Sequence, residues 1–267
     1  MGLITKPKFE AQKLLREIGM DDITDIPMDL LAAGLDATLI EEPLQFCEGR
    51  ITFSPRRSLI KINSNIEWPE RKRFISAHEI GHHILHKNMD LPPDTFSTVN
   101  IVAGFEKHLK TGKQEIEANE FAAELLMPTS KFVQLAKGKP FSPQLLKDIA
   151  HHFQTSLTAT VFKYLECDLH PLCLIMIDNG NIKYFKKSSK LNGWLEDRLH
   201  MSPPPESVAA EYINHNYDFV YKEEEKSQLI KKSVWFAIRS WEEDEDYYEY
   251  CIPTKRYKTV LSVLWQK

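Results

Sequence analysis

Residues 71–86, Arg71-Lys72-Arg73-Phe74-Ile75-Ser76-Ala77-His78-Glu79-Ile80-Gly81-His82-His83-Ile84-Leu85-His86, constrain the fold more than any other stretch. They contain H-E-x-x-H: His78, Glu79 and His82. On a helix, residues four apart lie one above the other on the same face. His78 and His82 can therefore aim two imidazoles at one metal ion. Glu79 lies about 100° round from His78, close enough to reach a water held there. This is the pattern of two zinc ligands and a general base. The helix itself is well founded. Pro69 suits a first turn, and Glu67 and Glu70 sit near its positive end. Phe74, Ile75, His78, His82 and Leu85 share one broad face, which turns the histidines inward. Gly81 lies on the edge of that face. It costs about 1 kcal/mol relative to Ala, which predicts that another element approaches closely there. The bland alternative is a pair of core histidines hydrogen-bonded to backbone, with Glu79 in solvent.

A catalytic zinc site needs a third protein ligand. The best source is a second helix, Gln114-Glu115-Ile116-Glu117-Ala118-Asn119-Glu120-Phe121-Ala122-Ala123-Glu124-Leu125-Leu126-Met127-Pro128. Stepping round it, Ala118, Asn119, Ala122 and Leu126 fall within about 60° of Glu115. Glu117, Glu120 and Glu124 fall on the opposite, solvated side. A lone carboxylate on an apolar face costs several kcal/mol unless something pairs it. Zinc would pair Glu115, and Asn119, one turn on, could hydrogen-bond a ligand. Glu117 also precedes Ala118-Asn119, but its helical phase argues against it.

The two segments RFISAHEIGHHILH and EIEANEFAAELLMP together resemble the ImmA/IrrE family of metallopeptidases. The resemblance extends upstream through Gly49-Arg50-Ile51 and Ile60-Lys61-Ile62-Asn63. Downstream it runs through Leu146-Lys147-Asp148-Ile149-Ala150-His151-His152-Phe153 and Ser156, so it covers about residues 8–166. It implies one zinc ion per chain, held by His78, His82 and Glu115, with Glu79 as the base. It also implies a substrate class: a regulatory protein, such as a helix-turn-helix transcriptional repressor, cut to derepress stress-response or mobile-element genes.

At 267 residues the chain has room for two domains or one large one. A net charge of −4 leaves no basic footprint for nucleic acid. No apolar run approaches a membrane span, and the N-terminus lacks a signal-peptide pattern. Four widely spaced cysteines make no disulfide framework. The expected compartment is reducing and cytoplasmic.

In chain order, helices are expected at 8–18, ended by Gly19, and at 27–35. Short strands follow at 37–40, 50–53 and 58–62, the last two joined as a hairpin through Ser54-Pro55-Arg56-Arg57. Residues 89–113 show no period and read either as a cleft wall or lid or as a plain surface loop. Helices are then expected from Thr129 to Leu135, from Ser142-Pro143 to Phe153, and from Thr155-Ser156 to Leu165. The last pair invites a DNA-binding helix-turn-helix, yet the second helix carries no Arg, so packing is the expected role. Cys167, His170 and Cys173 fit no strong zinc spacing. Beyond a linker at 166–173, the segments 174–177 and 182–185 form a hairpin around Asp178-Asn179-Gly180-Asn181. A helix is expected over 206–213, and strands at 233–238, 247–252 and 257–265. The acidic runs at 223–225 and 242–246 read as solvated turns.

The expected fold class is α+β. A mainly helical, zincin-like metallopeptidase domain with a small sheet occupies residues 1–166. A smaller α+β domain follows at 170–267, with a sensing or substrate-recruiting role. The expected activity is zinc-dependent endopeptidase: Glu79 catalytic; His78, His82 and Glu115 on the metal; a protein substrate; and neither nucleic acid nor membrane as partner. His86, one turn beyond His82, lines the rim or serves the structure. The competing reading is a zinc-containing binding or sensor protein that recognises a regulator or small ligand without cutting it. An intact Glu79 argues against that.

Overall fold

The computed structural model describes residues 4–87, 112–195, 198–218 and 227–267. It is α+β and separates into two compact units: Met1–Leu135 with Asp148–Ala159, and Ala136–Lys147 with Thr160–Lys267. Of the expected cleft wall or lid at 89–113, residues 89–111 lie outside the described residues, and Lys113 already belongs to a helix; the acidic run at 223–225 lies outside them as well.

The first unit contains α1 (Lys6–Glu17), α2 (Met28–Gly34), β1 (Ala37–Glu42), β2 (Gly49–Thr52) and β3 (Ser58–Asn63). It continues with α3 (Pro69–His86), α4 (Lys113–Leu126) and α5 (Thr129–Ala136). Leu14 and Leu15 of α1, Leu31 of α2, Ile60 and Ile62 of β3, and Phe121 and Leu125 of α4 make a core with Ile75 and Ile80 of α3. Helix α3 is its axis: every residue from Ile75 to His86 except Ile84 is buried. A helix buried all round must carry its polar groups towards partners. Here those groups are the H-E-x-x-H pattern together with Ser76, His83 and His86. The His83 ring lies 3.1 Å from Ser58 Oγ and 2.7 Å from the Leu35 carbonyl, which ties α3 to β3 and to the end of α2. Gly81 meets α4 directly. A Cβ there would lie 3.1 Å from Phe121 Cδ1 and 3.2 Å from the Ala118 carbonyl, the close approach expected of that glycine.

The small sheet has the order β1-β3-β2. Strand β3 is central, with Ser58, Ile60 and Ile62 buried on one face. It pairs in parallel with β1 and antiparallel with β2, Thr52 opposite Leu59, which is the expected hairpin. The crossover from β1 to β2 is held by one side chain. The Asn63 amide donates to the carbonyls of Leu44 and Cys47, and its oxygen accepts from the Leu44 N–H.

Helices α6 (Pro143–Phe153) and α7 (Leu157–Glu166) each pass through the division between units. Their starts follow the capping residues. Ser142 Oγ accepts from Leu145 N, and Ser156 Oγ from Ala159 N. Thr160 to Leu165 of α7 are buried, Lys163 included, so that stretch presents no surface to a DNA groove.

The second unit holds β4 (Leu172–Asp178), β5 (Asn181–Lys187), β6 (Trp194–Leu195), α8 (Val208–Asn214), β7 (Gln228–Lys231), β8 (Phe236–Ala237), β9 (Asp246–Thr254) and β10 (Thr259–Gln266). Five of the strands form an antiparallel sheet in the order β5-β4-β10-β9-β7, and β6 pairs with β8. The unit has its own core, with Ile175, Val208, Tyr212, Trp235, Tyr247 and Val260 among its members. At its centre lies the fully buried Glu249. It accepts from the N–H groups of Val208 and Ala209, from Trp235 Nε1 and from Ser262 Oγ. Burial pushes its carboxyl above the ordinary value even against these donors.

One strand expectation fails here. Residues 233–238 are not a strand. Lys232–Val234 is a 3-10 turn, and only Phe236–Ala237 is extended. The reason is local: Asp244 accepts from both the N–H and the hydroxyl of Ser233, and the Glu245 carbonyl takes the Lys232 N–H. These bonds curl the chain where β-propensity would extend it.

Candidate metal centre

The buried interior of α3 presents His78 and His82 one turn apart, and α4 crosses at Gly81 to present Glu115. Ligand atoms of His78, His82 and Glu115 lie within 4.8 Å of one another. Among the described residues this is the one cluster of three such groups. His78 Nε2 and His82 Nε2 are 3.1 Å apart. The two Glu115 oxygens lie 3.3 Å from His78 Nε2 and 3.1 Å from His82 Nε2. Two Nε2 atoms facing each other and a carboxylate together make a converging nitrogen and oxygen donor set. Glu115 Oε1 is buried and has no well-aligned hydrogen-bond partner among the described residues. An orphaned buried carboxylate oxygen beside two imidazole nitrogens is what a cation site leaves to be satisfied. Burial alone would raise the Glu115 carboxyl. Rings of His78 and His82 that carried protons at Nε2 would outweigh it and hold the group well below the usual carboxylate range; with lone pairs at Nε2, a cation takes their place.

The groups around the cluster fix its orientation. The Asn119 side-chain oxygen lies 3.0 Å from His78 Nδ1. It can only accept, so His78 carries its proton on Nδ1 and turns a lone pair at Nε2 towards the cluster. Glu79 is almost fully buried. It lies under strand β2, where a Cβ on Gly49 would come 2.8 Å from Glu79 Oε1. Its charge reaches Cys47, whose thiol is raised first by burial and further by Glu79.

The structure thus brings together the three residues expected on the metal and sets Glu79, their neighbour on α3, against β2. It also corrects the helical-phase argument at other glutamates of α4. Glu124 is fully buried. It accepts from Gln12 of α1 and from the N–H and hydroxyl of Thr129. Glu117 faces His86 at 3.0 Å. Helical phase fixes direction from the axis but is blind to what lies in that direction, here α1 and the last turn of α3. The link from His82 to His86, 3.0 Å between Nδ1 atoms, was open to a sequence reading through the repeated i, i+4 histidine spacing.

Residues 35–164 match the Peptidase_M78 family, described as the IrrE N-terminal-like domain. Through this segment the chain belongs to the ImmA/IrrE family. The ImmA/IrrE segment takes in both α3 and α4, and so every residue of the cluster. The chain is 31% identical over 124 residues to the radiation response metalloprotease IrrE of Deinococcus radiodurans, 46% of this chain and 35% of that protein. It is 36% identical over 106 residues to the metallopeptidase ImmA of Bacillus subtilis, 39% of this chain and 54% of that protein. It is also 36% identical over 80 residues to an uncharacterized immunity region protein of Bacillus phage phi105, 30% of this chain and 44% of that protein. The chain therefore spans about half or less of the length of these relatives. A Mycobacterium tuberculosis transcriptional regulator has a similar fold, with a TM-score of 0.54 at 11% identity over 98% of this chain and 77% of that one. Among the described residues no helix is long and apolar enough to cross a membrane.

Proposed function

We propose that this chain is a zinc-dependent endopeptidase that cuts a regulatory protein, with one zinc held by His78, His82 and Glu115. The observation that carries the reading is the convergence of two histidines and a buried, unsatisfied carboxylate oxygen on one point. Nitrogen and oxygen donors in a His2Glu set suit zinc and leave room for substrate. Bound there, zinc would supply Lewis-acid polarisation of a peptide carbonyl. Glu79 is the general base. It takes a proton from the attacking water and passes it to the leaving amine. Glu115, held ionised, neutralises charge at the centre. Strand β2 runs along the edge of its sheet beside Glu79, a placement that suits an extended peptide held by main-chain hydrogen bonds. The proposed layout is a zincin-like domain over residues 1–166 and a substrate-choosing domain over 170–267. A cytoplasmic setting and a transcriptional repressor as substrate follow from the same reading. The names of the relatives, a radiation response metalloprotease, a metallopeptidase and a phage immunity region protein, point the same way.

The test compares the chain with a Glu79→Gln variant on candidate repressors, with mass spectrometry of the products. The variant should keep zinc and fold but cut about 10²–10⁴-fold more slowly. Equal turnover with zinc bound would refute the mechanism. Binding of a repressor without cleavage by the unaltered chain would favour the sensor reading.

A further inference from the structure

We propose that His86 and Glu117 are positioning residues that set the tautomer and aim of His82 towards the metal. The inference rests on the metal-centre reading above and extends it to groups that do not touch the metal. Three side chains stand in line. His82 Nδ1 lies 3.0 Å from His86 Nδ1, and His86 Nε2 lies 3.0 Å from Glu117 Oε2. His82 and His86 are buried, and Glu117 is largely so. The His82 and His86 rings lie 5.1 Å apart, centre to centre. Among the described residues, Glu117 also faces Lys113 Nζ, 3.7 Å from Oε1.

The protons in this line are fixed from its far end. An ionised carboxylate only accepts, so His86 must present N–H at Nε2. A neutral His86 then has a bare lone pair at Nδ1, and that atom must accept. Its one neighbour in line is His82 Nδ1, which must therefore carry the N–H. His82 is left with its lone pair at Nε2, the atom that faces His78 and Glu115. Reversing any one bond would put two donors or two lone pairs face to face at 3.0 Å inside the protein. The carboxylate of Glu117 thus makes His82 a ligand through a second imidazole. His78 receives the same service from Asn119 in one step. Both ligands are held, one by an amide and the other by a histidine–carboxylate relay. The relay adds a negative charge behind the ligand, which strengthens it as an electron donor.

The test is zinc affinity by competition with a chromophoric chelator on the full chain, beside the melting temperature of each metal-free protein. The unaltered chain should bind one zinc and Glu115→Ala should bind none. Glu117→Ala and His86→Phe should each weaken binding about 10–100-fold. The double variant should be no weaker than the worse single one, because either change breaks the same line. Glu117→Gln keeps an acceptor oxygen and should bind more tightly than Glu117→Ala, with a metal-free melting temperature like that of the unaltered chain. Singles that bind as the unaltered chain does, or losses that simply add, would overturn the proposal while leaving the metal centre in place. So would Glu117→Gln no better than Glu117→Ala. If the unaltered chain binds no zinc, or Glu117→Ala abolishes binding while Glu115→Ala keeps it, the reading of the metal centre fails as well.

Discussion

Three glutamates of α4 end in three different environments. Glu115 faces the metal-site histidines, Glu117 faces His86, and Glu124 is buried under Gln12 and Thr129. Glu124 shows what a buried acceptor contributes. Its removal by Glu124→Ala takes an acceptor from the Gln12 amide and from the N–H and hydroxyl of Thr129. The expected loss is about 1–3 kcal/mol, read from denaturant unfolding of the metal-free chain. The Glu115 placement was legible in the sequence, because a small apolar stripe of Ala118 and Ala122 marks the face turned to another helix. Glu124 was not legible, because nothing in its own helix announces that α1 lies over it. A pH effect belongs at this scale too. Asp22 accepts from Thr24 N and lies 3.2 Å from His152 Nε2. Burial raises its carboxyl, but the bonds from Thr24 and the charge and bond of His152 outweigh it and leave the group below its ordinary value. A carboxyl depressed in the folded state gives stability that is present above the unfolded pKa, about 4. That stability is lost as the pH falls through the folded value. Thermal melts from pH 6 downwards should therefore fall less steeply below about pH 4 in Asp22→Asn than in the unaltered chain.

Among the elements, α3 depends on two glycines for how closely its neighbours approach. At Gly49 of β2 an added Cβ would clash with Ile75 Cγ2 and sit 2.8 Å from Glu79 Oε1. Something must move, and the proposed base is one of the two groups in the way. Gly49→Ala should therefore reduce turnover more than it reduces zinc affinity, at a stability cost of about 1–3 kcal/mol. At Gly81 the obstacles are the Ala118 backbone and Phe121, both on α4. Gly81→Ala should push α4 outward with Glu115 on it, so the main loss should be in zinc affinity. The same chelator competition and a peptide-cleavage assay separate the two patterns. The helices were legible from periodicity and from caps such as Ser142 and Ser156. The short strands of the second unit were less so. Two-residue strands such as β6 and β8 carry too few side chains to show a period, and the turn at Ser233 is made by Asp244, eleven positions away.

For the whole molecule, the division into units explains what a cut would do. Residues 136–147 belong with the second unit, where the Phe141 ring lies 5.2 Å from Tyr164 and 5.0 Å from Trp265. A chain ended at residue 166 keeps every residue of the metal centre but strips Trp265 from Phe141. It should still bind zinc, yet light scattering and gel filtration should show it to be more prone to associate than the full chain. A fully monomeric fragment with unchanged melting temperature would show that this cover is dispensable. Sequence could not place Phe141, because its partner lies more than a hundred positions downstream. The strand that supplies that partner, β10, is central in its sheet, between β4 and β9. It is also translated after every strand it joins or separates. Until it emerges from the ribosome, β4 has no neighbour on one side, and Leu174, Ile175 and Met176 have an open hydrogen-bonding edge beside them. The second unit must therefore close after synthesis of its sheet is complete, and the nascent chain passes through a stage in which a strand apolar from Leu172 to Ile177 invites chaperones or mispairing.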